Sequence, residues 1–149
     1  MGYRPLFLVL PALLWQWGCS EAAKGPCDGL VYLESGLPRS QYLPCAREIM
    51  AALDQAERGL DAHYNRNDKD GRRQARSALR QAETLLRKAG GHQKMLAGWA
   101  DEPLNDLNVD LWNAYFSYDA AVMVPNNPTD FNNGRRSHGS ARNSLSLLY

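Results

Sequence analysis

Two runs of apolar residues, each spaced by three and four positions, set the limits on what this 149-residue chain can become. Ile49, Met50, Leu53, Ala56, Leu60 and Tyr64 form the first, and Ala75, Ala78, Leu79, Ala82, Leu85, Leu86 and Ala89 the second. That spacing gathers each set on one face of an α-helix, whereas a strand would scatter it over both faces. It predicts helices over 44–64 and 72–89. Pro44 suits a first helical turn, where its missing N–H costs nothing. Asp54 and Arg58 stand four apart with the acid first, the better order for a helical ion pair. Residues 65–71, Asn-Arg-Asn-Asp-Lys-Asp-Gly, read as a turn, so the two helices should fold back as an antiparallel hairpin. The many alanines of the second stripe imply a close neighbour.

The turn resembles a calcium loop only superficially. With Gly71 at position six, Arg66 falls on the first ligand position and Ser77 on the twelfth, where carboxylates are needed. Farther on, Met95, Leu96 and Trp99 suggest a short helix over 93–100, and Pro103 then interrupts the chain. Asp106 can cap a third helix over 107–123. There Leu107, Leu111, Ala114, Tyr115 and Tyr118 share a face, and Trp112, Phe116, Ala121 and Val122 widen it. A helix so broadly apolar belongs in the middle of a bundle. Pro125 ends it. Residues 125–144, rich in Asn, Pro, Ser, Gly and Arg, read as loop, and 144–149 are too short to classify. No strand pattern is long enough for a sheet. The expected fold is all-α: a small antiparallel three- to four-helix bundle with an irregular N-terminal segment and a loop-rich C-terminus. Gly and Pro together are close to their share in ordinary globular chains, which excludes a collagenous chain.

The first residues address a different question. Arg4 is the only charge before Glu21, and Pro5 to Trp15 is apolar but too short to span about 30 Å of hydrocarbon. This is the pattern of a removable export signal. It ends at Gly18-Cys19-Ser20, and a small residue directly before a cysteine at that point resembles the cleavage site of bacterial lipoproteins. The resemblance, confined to about 20 residues, implies a signal over 1–18 and acylation of Cys19; the residue patterns beyond it suggest a tether and irregular segment over 19–43, a helical domain over 44–124 and a C-terminal segment over 125–149. The resemblance also implies attachment at the periplasmic face of the outer membrane. Ordinary secretion, with cleavage near Ala22-Ala23, stays open as an alternative. With Cys19 acylated, Cys27 and Cys45 remain as a pair that an exported compartment can oxidise. The bond would close a loop holding Gly29, Gly36, Pro38 and Pro44, at roughly 3 kcal/mol in a chain-entropy account. Two free thiols are the alternative. No zinc-ligand spacing involves these cysteines and His63, His92 or His138.

Removing Arg4 from 17 basic and 16 acidic residues leaves the mature chain neutral, which argues against a nucleic-acid partner. The charges are nonetheless segregated. Residues 66–88 carry eight basic and three acidic residues, and 101–130 carry six acids and no base. Arg72, Arg76 and Arg80 fall on one helical face. With Trp99, Trp112, Tyr115 and Tyr118 they are the candidate partner-binding residues, in a groove with aromatic anchors. Packing of those aromatics in the core, solvated charges, or contact of the basic face with anionic lipid are the competing readings. Phosphate loops, nucleophile elbows and His-Glu metal motifs are absent from the sequence, and no catalytic residue, metal ligand or cofactor is assigned. Glu34, Glu48, Glu57 and Glu83 would serve glycan chemistry only if two were fixed across a cleft. His63 fits a helix C-terminus, His92 a terminal turn and His138 a polar tail. The sequence therefore suggests a non-catalytic lipoprotein that acts as an adaptor or assembly factor for an exported protein or peptide. An immunity or inhibitor protein with an acidic knob around Asp101, Glu102, Asp106 and Asp110, and a small glycan hydrolase, are the alternatives.

Overall fold

The computed structural model describes residues 25–34, 36–90 and 101–149. Four helices follow one another: α1 (Arg39–Arg66), α2 (Gly71–Lys88), α3 (Glu102–Met123) and α4 (Pro128–Leu147). The described residues contain no strand, only an isolated bridge between Leu33 and Gly36. The all-α bundle expected from the sequence is thus present, with four helices. Cys19 and Trp99, and the short helix expected over 93–100, lie outside the described residues.

The hairpin of α1 and α2 forms as its stripes demand. Ile49, Leu53, Ala56 and Leu60 of α1 are fully buried, as are Ala75, Ala82 and Leu86 of α2. Asn67 closes α1 in the left-handed region at φ 52°, and the Asp68 N–H donates back to the Ala62 carbonyl at 2.9 Å. The two helices approach closely at Gly59 and Gly71. A Cβ on Gly59 would stand 2.5 Å from the Gly71 carbonyl oxygen and 2.7 Å from the Ala75 nitrogen.

The structure corrects the sequence reading at three boundaries. First, α1 begins at Arg39, so Pro44 lies inside the helix. Pro44 has no N–H to give the carbonyl of Ser40, an exposed residue one turn earlier. Second, α3 begins five residues early. Asp101, not Asp106, is its cap and accepts from the Leu104 N–H at 3.3 Å, and Pro103 sits in the first turn instead of breaking the chain. Third, 125–149 is not loop-rich. Asn127 caps α4 by accepting from the Asp130 N–H, and Pro128 takes the first helical position.

α3 packs against all three other helices, as its broad apolar face predicts. Leu104, Leu107, Leu111 and Tyr118 are fully buried there, and the Tyr42 hydroxyl donates to Asn108 Oδ1 across the interior at 3.0 Å. α4 presents a narrow stripe to α3: Phe131, Gly134, His138 and Ala141. Gly134 lies flat on the Tyr118 ring, leaving no room for a side chain. Cys27 and Cys45 are joined by a disulfide, which fastens the N-terminal segment to the first turns of α1. Lys88 adds an ion pair to Asp28 at 2.7 Å, and Arg39 grips Asp101 through two contacts of 2.8 and 2.9 Å.

Candidate functional site

Side chains able to do chemistry converge where α1 meets α4. Asp54 and Glu57, three apart on α1, face His138 on α4. His138 has no exposed surface, so it is a core residue and not part of a polar tail. Its Nδ1 lies 2.8 Å from Glu57 Oε2 and 2.9 Å from the Tyr118 hydroxyl, and its Nε2 lies 2.9 Å from Asp54 Oδ1. Burial pushes the His138 imidazole below its ordinary value, while Glu57 and Asp54 pull it back up. Burial also drives the Tyr118 hydroxyl far up, so it stays protonated.

Three residues of this kind, with one ligand atom from each within 4.8 Å of the others, have the composition of a metal centre. The surrounding charges favour a different role. Arg142 reaches Asp54 Oδ1 at 3.0 Å, and Arg135 reaches Glu57 Oε1 at 3.4 Å. Two guanidiniums already balance two carboxylates, and a divalent cation would have to displace them. The cluster is a cross-helix ion network that secures α4 to α1. Asp54 accordingly pairs with His138 and Arg142 and not, as its spacing suggested, with Arg58.

Of the aromatic candidates, Trp112, Tyr115 and Tyr118 are buried, and Tyr115 also lies in the wall of the α2–α3 groove. Trp112 and Tyr115 meet edge to face at 5.9 Å, and Phe116 leans on both. Arg72 is only half-exposed. Its Nε donates to the Val122 carbonyl at 2.6 Å and its Nη2 to that of Met123 at 3.2 Å, so it caps the C-terminal end of α3. Of the four acids expected to form a knob, Glu102 and Asp106 are exposed, Asp101 caps α3 and pairs with Arg39, and Asp110 accepts from the Ser140 hydroxyl. His63 Nε2 hydrogen-bonds with the Pro125 carbonyl oxygen at 3.0 Å.

Arg76 and Arg80 remain exposed, and they border a groove of about 340 Å³ between α2 and α3. Leu79 and Val122 supply apolar lining, Met123 stands at the side, and Glu83, Tyr115 and Asp119 complete the wall. Burial pushes the Asp119 carboxyl up, Glu83 adds to that, and Arg76 opposes it. The groove thus brings together three of the sequence-derived binding residues, Arg76, Arg80 and Tyr115. A larger cleft between α1 and α2, about 470 Å³, is lined mostly by polar side chains, among them Gln55, Arg58, Gln74 and Gln81.

No protein-family model, curated protein or solved structure matches the chain.

Proposed function

We propose that the chain is a non-catalytic helical lipoprotein, anchored through Cys19 at the periplasmic face of the outer membrane, that serves as an adaptor or assembly factor. Its cargo is an exported protein or peptide, held between α2 and α3. One observation carries this reading: the α2–α3 groove sets the exposed apolar side chain of Met123 beside two exposed arginines, over a floor of the buried Leu79 and Val122. Apolar burial supplies affinity in such a groove, and rim charges select the partner and speed its arrival. The Cys27–Cys45 disulfide accords with an oxidising compartment.

The test is a photo-crosslinking amino acid placed at Arg80 and irradiated in living cells, with the same probe at Ser146 as a control. A discrete adduct at Arg80, lost when Arg76 is changed to Glu and not formed from Ser146, is the expected result. Equal labelling from both positions, or none from Arg80, removes the adaptor role. Intact mass of the membrane fraction tests acylation of Cys19 separately.

A further inference from the structure

We propose that the end of the bundle where α2 begins and α3 finishes is a docking surface for an anionic phospholipid membrane. This surface shares Arg76 and Met123 with the α2–α3 groove, but Lys69 and Arg73 lie outside that groove's lining and separate the two readings.

Lys69, Arg72, Arg73 and Arg76 line one shallow cleft of about 250 Å³ at the first turns of α2. Asp68 and Asp70 offset this charge only in part, since four cations against two carboxylates leave residues 68–76 at net +2. Asp70 meets Arg73 at 3.4 Å with both side chains mostly in solvent, and Asp68 Oδ1 is engaged by the Asp70 N–H. The N-terminal end of the α2 dipole adds positive potential at the same place.

A second feature points to lipid instead of an acidic protein. Met123 is 67 % exposed and Val124 51 % exposed, an adjacent apolar pair at the terminus of α3. Arg72 fixes this pair beside the cations, because its guanidinium holds the carbonyls of Val122 and Met123. Arg76 then borders both the basic cleft and the surface around Met123. Apolar tips collared by Lys and Arg match a bilayer interface, where side chains enter the acyl boundary and the cations meet phosphates. None of the described helices is long and apolar enough to cross a membrane.

The experiment uses the full chain with Cys19→Ser and Met123→Cys, the disulfide intact, and an environment-sensitive fluorophore on position 123. Vesicles of equal parts phosphatidylglycerol and phosphatidylcholine should shift its emission to the blue, and pure phosphatidylcholine should not. Lys69→Glu with Arg73→Glu, two exposed positions outside the groove lining, should weaken that response on the order of tenfold. A fluorophore at Leu147→Cys, on the opposite end and 85 % exposed, should report no insertion. The proposal fails if position 123 does not respond to anionic vesicles. It also fails if the charge reversals leave the response intact, or if position 147 responds equally. A response to an acidic protein but not to vesicles overturns it in favour of a protein partner. Circular dichroism of each variant confirms that the bundle is folded.

Discussion

Gly59→Ala offers the sharpest check on how α1 and α2 meet, because two opposing effects decide its sign. In an exposed helix interior the change stabilises, since Ala exceeds Gly in helix propensity by about 1 kcal/mol. At Gly59 the new methyl group would stand 2.5 Å from the Gly71 oxygen, 2.7 Å from the Ala75 nitrogen and 3.1 Å from the Ala75 Cα. Carbon contacts are comfortable nearer 3.5 Å or beyond, so α2 must retreat by roughly 1 Å. The obstacles are backbone atoms, which no rotamer change can move. Overpacking of this kind costs about 1–3 kcal/mol, and backbone obstruction belongs at the upper end. The net is a loss of about 2 kcal/mol. With a urea m-value near the middle of about 1–3 kcal/mol per molar, the midpoint should fall by about 1 M. Gly139→Ala is the internal control, since a Cβ there meets nothing within 4 Å. It should raise the midpoint by a few tenths of a molar. Urea titration followed by helical circular dichroism, with the disulfide kept oxidised, measures both. A Gly59→Ala midpoint that rises alongside Gly139→Ala would refute the close crossing.

Gly134→Ala should also destabilise, by about 1–2 kcal/mol, because its methyl group would strike the Tyr118 ring; a rise in thermal midpoint counts against that packing. Replacing Cys27 and Cys45 together by Ser should cost about 2–4 kcal/mol, read as a lower urea midpoint, and a neutral result would mean the loop stays ordered without the bond. The hydrogen bonds from Arg39 hold the Asp101 carboxyl below its ordinary value of 3.8, helped by the Leu104 N–H. The stability gained this way is complete above that value and is lost as pH falls through the lower folded value. The deficit of Asp101→Asn relative to the parent should therefore be present at neutral pH and shrink in acid. A deficit that is constant with pH would assign the residue's contribution to packing. Because Arg135 and Arg142 already serve Asp54 and Glu57, added zinc or a chelator should leave the melting temperature unchanged. A zinc-dependent rise abolished by His138→Ala would make the cluster a metal centre.

The helices legible in the sequence are those whose buried faces are built from bulky or repeated apolar residues. α1, α2 and the body of α3 qualify, and their stripes mark them within a few residues. α4 escaped because its buried face is Phe131, Gly134, His138 and Ala141, so no hydropathy pattern announces it. Its glycines, asparagines and serines are poor helix formers, and packing against Tyr118 outweighs that preference. A signal was nevertheless present: Asn127-Pro128 followed by Asp130 is a cap, a first-turn proline and an early acid. Asp101 before Pro103 gave the same signal for α3. The disulfide follows from parity, since setting Cys19 apart leaves Cys27 and Cys45 as the one remaining pair. The setting of His138 was not readable, since its partners lie on α1 and α3 and no local spacing connects them. For the same reason the exposed arginines could be separated from Arg72 only once the end of α3 was located.

The alternation of helix directions gives the molecule two unlike ends. Residue 25 leaves the body beside the Cys27–Cys45 bond, near where α1 starts, and Lys69 and Met123 stand where α1 stops. α1 has 28 residues, which makes the strut between those ends about 40 Å long. A chain fastened by its N-terminus would carry its cationic tip away from its own foothold when upright, toward whatever layer lies opposite. To rest both ends on a single leaflet it must lie on its side, and that posture would decide which of its grooves stays open to visitors.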